Sequence, residues 1–243
     1  MTAALEIAGE EVSKAPRSDQ RIGIADTIRF YLDRVDPYLG YALKAYDGGD
    51  WDVGDCVLRV AFEYGLRVAW VLAEPNEIRE RVLMWHADCV RQHTNRCKAW
   101  AAKWDDQPDK KERCEKQIQE NKSFLKAQEE NGIPTRLPSN KEIAKSIPLH
   151  MERGVDCYPT FKILCECSHG EYGFHRCLTP KEDGFELGAY SPESTARDII
   201  FVETALLGLT SVYQYLGIPS DPLRELEHAL RGEDTGHASD KPR

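Results

Sequence analysis

Long apolar runs are missing from this chain of 243 residues. A membrane-crossing helix needs roughly 18–20 uncharged apolar residues in a row, and no stretch approaches that. The opening segment, MTAALEIAGEEVSKAPRSDQ, has neither the basic start nor the apolar core of a secretory leader. Together these absences predict a soluble, cytoplasmic protein without a membrane partner. Alternating apolar and polar residues bounded by tight-turn signals are also missing, which argues against a sheet. No internal repeat and no low-complexity core are present. Positive charge is in short supply: 32 Lys and Arg stand against 41 Asp and Glu, for a net charge of −9. Taken as a whole, such a surface repels nucleic acid and anionic lipid, so any nucleic-acid ligand would need a local basic cleft. There is no C-x-x-C pair. The eight cysteines, Cys56, Cys89, Cys97, Cys114, Cys157, Cys165, Cys167 and Cys177, therefore read as reduced thiols, mostly buried and inert.

What is present is a core-forming helical pattern. Apolar residues make up 41% and aromatics 9%, enough to bury a sizeable core. The expected fold is all-α, a bundle of about five to six helices with a long helical hairpin and a long loop before the last helix. Residues 1–17 read as a flexible N-terminus, 18–218 as the bundle, 105–139 as a hairpin or linker appendage, and 219–243 as a mostly disordered tail. Ile24, Ile28, Tyr31, Val35, Leu39, Ala42 and Tyr46 recur every three or four residues and mark a first helix over 19–46. Pro37 should kink it, and Asp47-Gly48-Gly49 should end it. A second helix over 52–73 is apolar nearly all round, which places it in the centre of a bundle. A third, over 76–104, buries Ile78, Val82, Trp85, Cys89, Trp100 and Trp104. His93 beside this stripe reads as a satisfied core histidine, and the tryptophans as packing rather than a base-stacking platform. A fourth helix over 110–130 is mostly charged, with a thin stripe of Cys114, Ile118 and Leu125. Short helices follow over 140–152 and 158–168. Gly170–Tyr190 reads as the long loop. Ser191, Pro192 and Glu193 should start the last main helix, and Gly217 and Pro219 should end it.

Three features could carry chemistry. Arg59, Glu63 and Arg67 lie at i, i+4 and i+8 of the apolar second helix, about 40° apart per step. In a bundle interior they must pair or face a polar cleft, because an isolated buried charge costs several kcal/mol. The row is either a guanidinium site for a phosphate or carboxylate, or an ion-pair lock between helices. Next, CECSHGEYGFHRC gathers Cys165, Glu166, Cys167, His169, His175 and Cys177. Its spacing matches no zinc module we can name. Glu166 and His169, however, form Glu-x-x-His, the ligand pair of dimetal carboxylate bundles, to which Glu63 and Glu203 could add oxygens around a divalent metal. Last, Arg81 and His86 form Arg-x4-His, in which a histidine would act as base toward a ribose 2′-hydroxyl while an arginine holds the phosphate.

That Arg-x4-His spacing resembles the HEPN ribonucleases, helical bundles that cleave RNA. The Arg-x3-Glu-x3-Arg row with its apolar, Trp-containing continuation to a Pro turn (Arg59 to Pro75), and the Tyr-led helix ending in Ser-His (Tyr158 to His169), resemble the bacterial domain of unknown function 5677 over roughly residues 20–217. The likeness implies a HEPN-like bundle acting on RNA or nucleotides in stress or phage defence, with Arg59, Glu63, Ser168 and His169 as the shared polar set. On this reading His169, Glu63, Arg59 and Arg67, with Arg81 and His86 as a second pair, are the candidate catalytic residues. A homodimer through helical faces is the other expected association. The competing readings are a metal-dependent enzyme using Glu166, His169, Glu63 and Glu203, and a non-catalytic scaffold.

Overall fold

The computed structural model describes residues 2–14, 23–147, 157–168, 178–181, 184–187 and 194–230. The fold is all-α apart from one short hairpin. Among the described residues the helices are α1 (Thr2–Lys14), α2 (Ile24–Asp47), α3 (Trp51–Leu72), α4 (Ile78–Ala101), α5 (Pro108–Glu130), α6 (Asn140–Ser146), α7 (Tyr158–Ser168), α8 (Ser194–Leu216) and α9 (Asp221–Leu230). No described helix is long and apolar enough to cross a membrane.

The chain divides into two units. The first contains α1–α3, α6–α9 and the hairpin. Its centre is α3, which packs by its apolar side against α8, α7 and α6, while Val53, Cys56 and Val60 on the other side are exposed. Leu58, Phe62, Leu66 and Val68 are fully buried there, facing a core shared with Leu209, Val212 and Tyr213 of α8. The helices approach closely where Gly65 meets the backbone at Gly208. The missing side chain at Gly208 also admits the ring of Tyr31 from α2: a Cβ there would overlap the Tyr31 hydroxyl and ring. Gly217 ends α8 at a φ of 66°, and Ile218 N–H returns to the Tyr213 carbonyl at 2.9 Å. This is the left-handed cap expected of a glycine after a helix.

The second unit pairs α4 with α5. The division falls at Glu74, against the 105 expected for an appendage, because much of the packing of α4 is onto α5. Cys97, Ala101, Cys114 and Ile118 form a small buried cluster, with Trp104 against it. Cys89 is exposed and Trp100 is 43% exposed, so these two do not belong to the buried stripe that their spacing suggests.

Other departures concern the ends and the long loop. Residues 2–14 form α1 rather than fraying. Its small side chains leave a narrow apolar stripe, Ala4, Leu5, Ala8 and Val12, all buried, which seats on α8 and α9. The Tyr213 hydroxyl donates to the Ala4 carbonyl at 2.8 Å, and Arg29 Nη2 donates to the Val12 carbonyl at 2.7 Å. Residues 221–230 form α9 rather than part of a disordered tail, because Leu223 and Leu226 find a buried seat. Within the expected loop, β1 (Leu178–Lys181) and β2 (Gly184–Leu187) pair antiparallel, Leu178 opposite Leu187 and Lys181 opposite Gly184. Helix α2 runs unbroken through Pro37. Helix α6 ends at Ser146, short of the expected 152, and residues 148–152 lie outside the described residues. So do the N-cap expected at Ser191 and the tail over 231–243.

Candidate functional site

The charged row of α3 neither sits in the interior nor faces open solvent. Arg59 and Glu63 are each 25% exposed, and Arg59 Nε donates to Glu63 Oε1 at 3.0 Å. The expectation of a fully interior row fails because Cys56 and Val60, on the adjoining face, are exposed. That side of α3 reaches the surface. Arg67 departs from the row. Its Nε donates to Asn140 Oδ1 of α6 at 3.4 Å, and among the described residues it has no carboxylate partner.

Residues of α6 and α7 continue this polar seam. The Lys145 and Lys141 ammonium groups lie 4.9 and 6.0 Å from the Tyr158 ring centre, close enough for a cation–π attraction. Lys141 and Lys145 are exposed residues of α6, the helix that also supplies Asn140 and carries Glu142. Thr160 of α7 donates its hydroxyl to Glu203 Oε2 of α8 at 2.5 Å, so Glu203 is held between helices. Ser168 ends α7. Its side chain, that of Glu166, and the whole of His169 lie outside the described residues, and the Glu166–His169 pair with them. Among the described residues no group of three or more His, Cys, Asp or Glu could hold a metal ion.

The Arg81–His86 pair belongs to the second unit. At i and i+5 the two side chains leave α4 about 140° apart. Arg81 grips Glu77 Oε2 through Nε at 3.1 Å and Nη2 at 2.8 Å. His86 packs on Phe124 with ring centres 4.9 Å apart, and burial pulls its pKa below the usual histidine value. Two turns on, His93 has both ring nitrogens engaged, Nδ1 with Asn121 at 3.3 Å and Nε2 with the Cys97 thiol at 3.6 Å. It is the satisfied histidine its position suggested.

No family model, curated protein or solved structure matches the chain. The site therefore rests on its own geometry. Sequence reasoning misses Asn140, Lys141 and Lys145, and names Tyr158 only as the head of its helix, because they come from two short helices far along the chain, Asn140 being 73 residues beyond Arg67. The only advance signal is the Tyr at the head of α7.

Proposed function

We propose that this chain is a HEPN-like helical bundle acting on RNA or a nucleotide. The observation that carries the reading is Arg67: a part-buried guanidinium on the central apolar helix, with one long bond to Asn140 and no carboxylate partner among the described residues. Such a group gains most from a phosphate, which a guanidinium can bind through two parallel bonds. Lys141 and Lys145 add the local positive charge that the acidic average lacks. In this scheme Arg67 holds the phosphate, and His169, next in the chain after α7, removes the ribose 2′-hydroxyl proton. The 2′-oxygen then attacks phosphorus as the 5′-oxygen leaves and takes a proton from water, giving a cyclic phosphate and a free 5′-hydroxyl, and His169 releases its proton to solvent.

The test is cleavage of a single-stranded RNA oligonucleotide in the presence of a chelator. Arg67→Ala and His169→Ala should each lower the rate by about a hundredfold or more with the helical circular dichroism unchanged. A wild-type chain that neither binds nor cuts RNA or nucleotides, or an Arg67→Ala chain as active as wild type, sinks the reading. A purely structural lock between helices draws nothing from the Arg59–Glu63 pair, whose 3.0 Å bond joins two residues of α3 itself. If the lock were the whole role, Glu63→Gln would mainly unfold the protein. A pair this exposed should instead contribute no more than about 1 kcal/mol.

A further inference from the structure

Helix α2 carries a second unexplained surface. Phe30, Arg34, Tyr41 and Lys44 fall at i, i+4, i+11 and i+14, all within about 80° of arc. Phe30 is 42% and Tyr41 57% exposed, unusual for large apolar rings outside a contact surface. The rings and cations alternate and touch. The Arg34 guanidinium lies 5.4 Å from the Phe30 ring centre, and the Lys44 ammonium 5.9 Å from that of Tyr41. Tyr64 of α3 extends the patch, edge-on to Phe30 at 5.7 Å and stacked with Tyr38 at 5.9 Å. Tyr64 is also one helical turn before Arg67, so the patch reaches the phosphate-holding arginine. Of the acids on α2, Asp26 lies at the margin of the stripe and is already paired with Arg29 at 3.2 Å. Asp33, Asp36 and Asp47 leave the helix about 60°, 120° and 100° round from the centre of the stripe.

From this alternation we infer that Phe30, Arg34, Tyr41 and Lys44, with Tyr38 and Tyr64, form a stacking platform for the unpaired bases of a single-stranded nucleic acid. The inference extends the proposed function by naming where the strand lies. Exposed rings offer faces on which bases stack regardless of sequence, and interleaved cations meet the backbone phosphates. Charge complementarity selects this occupant over a neutral one: a second apolar protein surface would leave Arg34 and Lys44 desolvated without anions. Duplex nucleic acid hides its base faces and gives the rings nothing to stack on.

The probe is a labelled oligothymidylate of about twelve nucleotides, followed by fluorescence anisotropy. It has no 2′-hydroxyl and so cannot be cut by the proposed chemistry. Wild type should bind it, and a duplex of equal length at least about tenfold more weakly. Phe30→Ala and Tyr41→Ala should each weaken binding about five- to hundredfold, while Tyr41→Phe, which keeps the ring, should bind as wild type does. Arg34→Gln should lower the slope of log affinity against log salt by about one. The platform is overturned if the single strand is not bound, if the ring variants bind like wild type, if duplex binds equally well, or if a neutral oligosaccharide binds in its place. Binding of the oligothymidylate without RNA cleavage would remove the hydrolytic reading and leave the platform standing. RNA cleavage with unchanged binding by the ring variants would remove the platform alone.

Discussion

His86 makes the protein sensitive to acid. Packed on Phe124 and partly withdrawn from water, its imidazole resists protonation. The unfolded chain takes that proton first, near the ordinary value of 6.5. The penalty on folding is therefore absent well above 6.5 and grows as pH falls toward the lower folded-state value. His86→Phe should flatten the fall in the urea midpoint between about pH 7 and pH 5, and an unchanged pH profile would show that other groups govern it. At this scale the sequence is only partly legible. It can show that Arg59, Glu63 and Arg67 share a helix face. It cannot show that Arg67 leaves its neighbours for Asn140, because that contact depends on where a seven-residue helix docks.

Among the elements, the α3–α8 crossing depends on absent side chains. Gly208 leaves room for the Tyr31 ring, whose hydroxyl sits fully buried against the backbone of Gly208 and Leu209 and among the described residues reaches no partner at hydrogen-bond geometry. Burial pushes that phenol well above the usual tyrosine range. Gly208→Ala forces a methyl into the ring and should cost about 1–3 kcal/mol, read as a lower denaturant midpoint with an unchanged m-value. No loss would mean that α2 shifts freely on α8. The main helices are legible because their buried stripes are wide. Ile28, Tyr31, Val35, Leu39 and Ala42 all bury as their spacing requires. Helices α1 and α9 are not, because a stripe of two alanines, one leucine and one valine, or of two leucines, is too thin to outweigh the surrounding charge until a partner surface exists to receive it. The exposed rings on α2 are likewise hidden in a helix whose spacing speaks mainly of its core.

Under the proposed function, Arg34, Lys44, Arg67, Lys141 and Lys145 meet phosphates on a molecule of net charge −9, so salt should weaken that binding while leaving the fold intact. Its thiols divide by position. Cys56 and Cys89 are exposed, whereas Cys97, Cys114 and Cys157 are buried. Burial, then Cys114, holds the Cys97 thiol up; burial, then Asp55 and Asp52, raises that of Cys56. Exposure decides the order: brief treatment of the native protein with iodoacetamide should label Cys56 and Cys89 well before Cys97, Cys114 and Cys157, with peptide mass spectrometry as the readout. Equal labelling of all five would mean that the helices open on the labelling timescale.

The bond from Tyr213 to Ala4 joins residues 209 apart in the chain. During synthesis α1 leaves the ribosome with its seat still unmade. At roughly 5–20 residues per second, Ala8 and Val12 wait on the order of ten to forty seconds for α8 and α9 to emerge. A nascent chain stalled in that interval shows chaperones a greasy strip that the finished protein conceals.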